Sequence, residues 1–277
     1  MIAKLQIETG WKKNKNFLKS VYCTPPFKVA DITEDLSAET LQLMLMNVSP
    51  GILDGDNYRV EIKIGENSSL HLHTQSYQRL FTMKANAFQQ MNVHLEKNAS
   101  FFFIPHPAVP HKNSDFTAEN NIFLSEGCEL LWTEILTCGR KGCGEVFSFK
   151  KYHNLTKIYY DGKLVVKENV LLQPAAVQLH LLGQWEGYTH QGSLIYRNER
   201  NIMPSLIERL HELLKDAPGV SLGISSLPGN GLLIRLLGKS AEQIFDLFKQ
   251  AASFICRQKL PFPATKSEWP KTIIHAG

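Results

Sequence analysis

The sequence predicts a mainly β protein with two α-helices in its C-terminal third. Apolar and polar residues alternate along short runs, as in residues 59–64, where Val60, Ile62 and Ile64 are separated by charged residues. This is the pattern of a strand with one buried and one solvent-exposed face. Turn formers such as Gly65-Glu-Asn-Ser68 separate these runs. In the last third the apolar residues take the spacing of amphipathic helices. Regularly spaced short strands are typical of a sandwich, a barrel or a β-solenoid, and no fixed-period repeat selects among the three.

The other strand candidates are short apolar or alternating runs that Gly, Asn or Pro residues separate. In chain order they cover residues 41–48, 70–73, 91–95, 101–104, 122–124, 130–137, 146–152, 157–160, 164–172 and 177–182. Their even spacing predicts a β-rich body over residues 1–190.

The last third reads as a helix, two strands and a second helix. The first helix has a face of leucines and ends at Ala217-Pro-Gly219. Ser240 and Gln243 form a capping-box pattern that begins the second helix. The four elements are predicted at residues 202–216, 220–225, 232–237 and 240–258.

We expect one domain over residues 1–277, because no linker is long enough to separate two independent domains. Its helix-strand-strand-helix part covers residues 200–260. The prolines after Leu260 predict an extended tail.

Composition limits the classes of protein to which the chain can belong. With 43% hydrophobic residues among 277, the chain can bury a large core, which excludes intrinsic disorder. A net charge of +4 without a dense Lys/Arg block argues against nucleic-acid binding. No run is apolar enough to predict a membrane span, and the start lacks the features of a secretory signal. Five scattered cysteines then indicate reduced thiols, so we expect a cytoplasmic protein.

One pair of histidines matches the opening of a cupin metal motif. Gly65 is followed by His71 and His73, and residues two apart on a strand point to one face. Tyr77 and Gln78 stand where that motif needs a carboxylate. The simpler interpretation is that the two histidines lie on the solvent-exposed face of a strand. The alternative hypothesis is a cupin-like metalloenzyme that uses both of them to bind a metal.

Two cysteines lie in a glycine-rich segment, Cys138-Gly-Arg-Lys-Gly-Cys143. Zinc sites use such spacings, but they need a second pair of ligands, which this sequence does not place nearby. A glycine-rich turn is the favoured interpretation, and weak metal binding or redox sensitivity stays open because Arg140 and Lys141 flank the thiols. The sequence also lacks the fingerprints of hydrolases, dehydrogenases and P-loop proteins.

Four further segments are distinctive in composition and in order. They are SPGILDGD at residues 49–56, TQSYQR at 74–79, PHPAVP at 105–110 and LWTEILTCGRKGCGE at 131–145. Together they resemble the signature blocks of the urease accessory protein UreD family, also called UreH. The last one is similar to the family's Trp-x-Glu…Gly-Arg…Gly-Glu stretch. In the family the first segment commonly contains Pro-Gly-Gly, and this sequence has Ile52 in place of the second glycine. The difference affects the expected geometry of this turn and not the resemblance to the family.

The resemblance implies a fold and a role. The implied fold is a β-solenoid body with two α-helices near the C-terminus. The implied role is not enzymatic: such proteins join the accessory proteins UreF and UreG, dock on urease apoprotein and help to deliver nickel to its active site. No cofactor is then tightly bound, and nickel passes in transit along an internal, water-filled route.

The resemblance also points to particular residues. Asp56, Glu134, Arg140 and Glu145 align with charged family positions and are candidates for the nickel path or for a partner contact. Strand alternation would let Glu134 face inward beside Trp132. A structural ion pair between Arg140 and Glu145 is an equally good interpretation. The positions that align with structural parts of the family motifs are Pro50, Gly51, Gly55, Thr74, Gln75, Trp132, Gly139 and Gly144.

A scaffold held between partners should expose apolar docking surface. Residues 101–104, Phe-Phe-Phe-Ile, are a candidate patch, although a buried strand fits them better. Because a docking surface of this kind stays uncovered when the partner is absent, we expect mostly insoluble protein when the chain is expressed without UreF.

Overall fold

The structure, a computed structural model, describes residues 2–34, 40–199 and 205–257. Most of them lie in two β-sheets. In spatial order sheet A contains β14 (Lys163–Leu172), β13 (Lys151–Tyr160), β11 (Asp115–Leu124), β8 (Ala87–Leu95), β5 (Asn57–Ile64), β1 (Ile2–Lys12) and β2 (Lys15–Cys23). Sheet B contains β16 (Ser221–Leu227), β17 (Gly231–Gly238), β15 (His190–Asn198), β12 (Glu129–Thr137), β9 (Ser100–Ile104), β6 (Ser69–Thr74), β4 (Leu41–Asn47) and β3 (Phe27–Asp31). The remaining elements are the short strands β7 (Gln78–Leu80) and β10 (Ala108–Pro110), a 3-10 turn (Lys141–Cys143), and the helices α1 (Leu206–Leu214) and α2 (Ala241–Arg257).

The chain passes repeatedly between the two sheets. From β4 to β13 the long strands fall alternately in sheet B and sheet A. As a result β5, β8, β11 and β13 run parallel to one another, and so do β4, β6, β9 and β12. Equivalent residues of successive passes lie side by side, as Leu70, Phe101 and Leu130 do in sheet B.

The two sheets share one apolar core. Alternate residues of each strand face the other sheet, so Ile62 and Val93 of sheet A and Leu72 and Phe101 of sheet B are fully buried. Burying a side chain of this size stabilises the fold by about 1.5–3 kcal/mol. The period-two prediction is confirmed for these strands, and residues 101–104 form a buried strand.

The two helices cover the other face of sheet B. α1 buries Leu206, Leu210 and Leu214, as the sequence predicts, whereas Leu213, which was predicted on the same face, is 41% exposed. In α2 the backbone N–H of Gln243 donates to Ser240 Oγ (3.3 Å), as the capping pattern predicts. Among the residues described, no helix is long and apolar enough to cross a membrane.

The mainly β class and the two C-terminal helices are confirmed, and so is the order helix, strand, strand, helix. The strands β16 and β17 extend sheet B beside β15 instead of forming a separate layer. Both sheets are open over the described part of the chain, and the finer expectation of a β-solenoid stays a prediction. The predicted extended tail after residue 260 lies outside the described residues.

Two predicted strands are wrong in position. Residues 177–182 form turns whose backbone hydrogen bonds are local, such as that from Trp185 N to Leu179 O (2.8 Å). Leu182 is 90% exposed, so this apolar run has no sheet to pair with. Most of the run at 146–152 is also irregular, since Phe147 takes a left-handed φ of 50° and β13 begins only at Lys151. No strand was predicted at the positions of β1, β2, β3, β7, β10 and β15.

Candidate functional site

A cavity of about 290 Å³ lies between the two sheets. Its lining joins three surface loops to inward-facing side chains of β8, β11, β12 and β13. The loops contribute residues 49–51, 74–79 and 105–106, and we call these three loops the mouth of the cavity. The strands contribute, among others, Glu134 and Tyr152. Four segments that are far apart in the sequence therefore meet at this one space.

Hydrogen bonds hold the loops of the mouth against one another. The backbone N–H of Ile52 donates to Arg79 O, and that of His106 donates to Thr74 Oγ1, both at 2.8 Å. Glycine is required at Gly51, because a Cβ atom there would lie 2.4 Å from Arg79 O. The mouth thus has a defined shape that depends on close backbone approach.

Helix α2 supports the mouth. The hydroxyl of Tyr77 donates to Glu242 (2.7 Å), and the ring of His106 stacks on Phe245 with 4.7 Å between centroids. Burial and the neighbouring Glu242 raise the pKa of Tyr77, so this hydroxyl stays protonated and remains a donor at neutral pH. Helix α2 therefore positions two of the three loops.

The carboxylate of Glu134 lies at the floor of the cavity. Three donors reach its Oε1 atom: Trp132 Nε1 at 2.7 Å, Thr156 Oγ1 at 2.6 Å and Asn120 Nδ2 at 3.5 Å. The Asn120 amide also donates to Asn154 Oδ1 (2.9 Å), which fixes its orientation. The floor is thus a carboxylate held in place by side chains of β11, β12 and β13.

Burial raises the pKa of Glu134 above the usual range of a glutamate. The hydrogen bonds from Thr156 and Trp132 oppose this shift, and the carboxylate of Glu168 adds to it. The side chain keeps part of its accessible surface, since it borders the cavity. Glu134 therefore takes up a proton at a higher pH than an exposed glutamate does.

A smaller cavity of about 20 Å³ lies on the other side of Glu134. It has room for about one water molecule. Glu134, Tyr152 and Asn154 line both cavities, and Gln191 and Ser193 of β15 line only the smaller one. Glu134 thus lies between the space that begins at the mouth and a second, smaller space beside β15.

Comparison with known proteins assigns the family. Residues 1–269 match the family model described as UreD urease accessory protein. The urease accessory protein UreD of Flavobacterium johnsoniae is 46% identical over 263 residues, which cover 94% of this chain and 95% of that protein. The chain belongs to the UreD family. The resemblance seen in the four segments is thereby confirmed, and membership supports a role in urease maturation.

Two further UreD proteins, from Acetivibrio thermocellus and Actinobacillus pleuropneumoniae serotype 5b, are each 33% identical to this chain. The first match covers 89% of this chain and 94% of the relative. The second covers 93% of this chain and 98% of the relative. The likeness to UreD proteins therefore extends over nearly the whole chain. The family name, an accessory protein, suggests a role that is not catalytic.

The UreD-like segments contribute most of the wall around the mouth and floor. Of the candidate residues from the sequence, those in the cavity lining are Pro50, Gly51, Thr74, Gln75, Trp132 and Glu134. Asp56 does not line the cavity. It is buried and accepts hydrogen bonds from Leu53 N (2.9 Å) and from the hydroxyl of Tyr58 (3.1 Å), which does line it. Gly55 has a φ of 76°, which suits glycine in the turn before Asp56. Asp56 therefore shapes the loop that leads to the mouth.

The end of the longest UreD-like segment lies outside the cavity lining. Arg140 donates two hydrogen bonds to Glu145, whose Oε2 also accepts one from Lys112 N at 3.0 Å. Arg140 lowers the pKa of Glu145 to about 2. Gly139 and Gly144 have φ values of 119° and 77°, where a side chain would strain the backbone. The ion pair between Arg140 and Glu145 thus stabilises this turn. A contact of either residue with nickel or with a partner protein stays a prediction.

His71 and His73 face away from the cavity. Leu72 between them points into the core that the sheets share, while the His71 ring stacks on Phe102 at 4.7 Å, in the core under the helices. Burial, with a smaller effect of His106, lowers the pKa of His73 to about 4. The described ranges contain no group of three or more His, Cys, Asp or Glu side chains arranged to hold a metal. The cupin-like alternative therefore has no support here, because the sheets are open and the histidines lie on the wrong face.

Cys138 and Cys143 lie in different environments. Cys138 is buried, and burial raises the pKa of its thiol, so that thiol stays protonated at neutral pH. Cys143 is exposed in the 3-10 turn (Lys141–Cys143). The glycine-rich turn is thus observed, and metal binding by the two thiols stays a prediction.

Sequence reasoning did not find the partners of Glu134. Asn120 lies at an inward position of β11 between Ala118 and Ile122, which are apolar. Asn154 and Thr156 lie at two successive inward positions of β13. A polar residue within an inward-facing apolar series was the available signal, because such a group must find a buried partner.

Proposed function

We propose that this chain is a non-catalytic scaffold of urease maturation. It acts in the cytoplasm with UreF and UreG, docks on urease apoprotein, and passes nickel ions through its internal cavity. The observation that carries the proposal is the cavity itself. Three UreD-like segments form its mouth, and the fourth supplies the carboxylate of Glu134 at its floor.

The size of the cavity suits a hydrated cation. A water molecule takes about 30 Å³ in the liquid. A space of about 290 Å³ therefore has room for roughly ten waters, enough for a divalent ion that keeps its first hydration shell. The ion can then move from the mouth to Glu134 before it gives up any water.

The donors at the floor suit transit better than storage. Glu134 is the carboxylate there, and its neighbours Asn120, Asn154 and Thr156 offer neutral amide and hydroxyl groups. Nickel is held tightly by thiolate and imidazole ligands and less tightly by oxygen donors. A single buried carboxylate attracts the ion and lets it leave again.

Accessory partners also explain the exposed apolar residues. Ile2, Tyr22 and Leu182 are exposed large side chains of the described part. We expect expression of the chain without UreF to give mostly insoluble protein, and co-expression to raise the soluble fraction. Equal solubility with and without UreF would count against a scaffold held between partners.

Complementation of a strain that lacks this chain tests the function. Urease should be inactive and poor in nickel in that strain, and the wild-type chain should restore both. Glu134→Gln should restore little nickel incorporation while it still co-purifies with UreF and UreG. Glu126→Gln is the matched control, since Glu126 lies on the surface beside Lys97, and it should behave as wild type. Nickel-dependent activation without the chain would refute the proposal, and full complementation by Glu134→Gln would refute the route.

A further inference from the structure

Polar side chains continue from Glu134 toward one edge of the space between the sheets. In sheet B, Glu134, Ser193 and Arg235 are neighbours across β12, β15 and β17. In sheet A, Thr156 and Glu168 are neighbours across β13 and β14. We call these five residues the polar row. Most other inward positions between the sheets are apolar.

The polar row leads from the cavity to the surface. Its inner end is Glu134, to which Thr156 of the opposite sheet donates at 2.6 Å. The smaller cavity extends from Glu134 to Ser193 along the same row. At the outer end the side chain of Glu168 is 9% exposed and that of Arg235 is 56% exposed. Water thus reaches Arg235 directly at the surface, while Glu134 meets only the space inside the protein.

A single ion pair between the two sheets closes the outer end. Nη2 of Arg235 donates to both carboxylate oxygens of Glu168, at 2.9 and 2.8 Å. Both hydrogen bonds use the same nitrogen, so the pair lacks the two-nitrogen fork of the strongest arginine–carboxylate contacts. Because more than half of the arginine side chain meets water, the pair adds little to the stability of the fold. Arg235 can therefore leave the pair for the solvent, whereas Glu168, only 9% exposed, then needs another cation.

We propose that the polar row is a second opening of the nickel route and that Arg235 is the residue that closes it. This inference rests on the proposed function. With the pair formed, the guanidinium group fills the place of a cation beside Glu168. When Arg235 turns into the solvent, Glu168 becomes an oxygen donor next in line to Glu134. The two carboxylates already interact electrostatically, and a divalent cation between them relieves their repulsion.

The release of nickel from the assembled complex tests the second opening. The full chain is co-purified with UreF and UreG, loaded with Ni²⁺ alone, and exposed to an excess of a coloured chelator. Arg235→Gln should release nickel about fivefold faster than wild type, the effect expected when one exposed ion pair is lost. Arg235→Lys keeps the positive charge and should stay close to wild type. Adding Glu168→Gln to Arg235→Gln should slow release again, because the second donor is gone.

Control variants make the result decisive. Arg209→Gln makes the same chemical change on the exposed face of α1 and should leave release unchanged. Nickel on UreG contributes equally to every sample, so differences between variants report on this chain. Release from Arg235→Gln at the wild-type rate, or equal acceleration by Arg209→Gln, would overturn the second opening. If Glu134→Gln still blocks urease activation in that case, the route through the mouth stands; if it does not, the proposed function itself has failed.

Discussion

The layer between the two sheets has an apolar half and a polar half. In the apolar half Ile62, Val93 and Leu72 are fully buried among apolar neighbours. In the polar half Glu134 and Thr156 also face the opposite sheet. Glu134 borders both cavities, and Thr156 donates a hydrogen bond to it. One alternating strand pattern therefore builds both halves, and the chemistry of the inward residue decides whether a position stabilises the fold or opens a space inside it.

The largest expected loss of stability is in the apolar half. Phe101→Ala should lower the free energy of unfolding by about 3–5 kcal/mol, because a fully buried ring is removed and a cavity is left. Urea denaturation of the co-purified chain measures the loss. Phe17→Ala is the matched control on the exposed strand β2 and should cost far less. Similar losses for the two variants would mean that the apolar layer does not dominate stability.

A smaller loss is expected in the polar half, where Thr156 of sheet A donates a hydrogen bond to Glu134 of sheet B. Thr156→Val removes the hydroxyl that donates to Glu134 and should cost about 1–2 kcal/mol. It should also raise the pKa of Glu134 further, since a hydrogen bond to the charged form is lost. Nickel transfer needs the ionised carboxylate, so the pH below which urease activation falls should move upward.

Thr9→Val separates this pH effect from general destabilisation. Thr9 is buried and shares a hydrogen bond with Ser68 (2.8 Å) at a distance from the cavity lining. We expect a comparable loss of stability without a change in the pH profile of activation. An equal shift in both variants would show that the profile does not report on Glu134.

The smallest effect is expected at Glu145, outside the cavity. Glu145→Gln should cost at most about 1 kcal/mol, as for other exposed ion pairs, and should leave nickel incorporation unchanged. The pKa of Glu145 is lowered to about 2, so the stability from this pair is present above the usual glutamate pKa of about 4.3 and is lost as pH falls toward 2. Acid titration of stability in wild type and variant measures it. Loss of nickel incorporation in this variant would place Glu145 on the nickel path.

The sequence predicted which side chains of a strand share a face, and it could not predict what that face meets. In β12 the alternation puts Glu134 on the same side as Trp132 and Leu136, as observed. Its partners come from β11 and β13, whose pairing depends on the register of distant parallel strands and not on any local pattern. The shared face of His71 and His73 was predicted in the same way. Both faces of sheet B are covered by cores, however, so alternation alone could not tell which one the histidines join.

Glu134→Gln tests the central claim most directly, by two measurements on one preparation. Glutamine keeps the size and the acceptor oxygen for Trp132 and Thr156, but it cannot carry charge. Because the pKa of Glu134 is raised, the ionised side chain costs stability as pH rises through that value, and glutamine removes this cost. We therefore predict that the melting temperature of the complex at neutral pH is unchanged or higher, while the nickel content of the urease it matures falls several-fold. Wild-type nickel content in that urease would contradict the account.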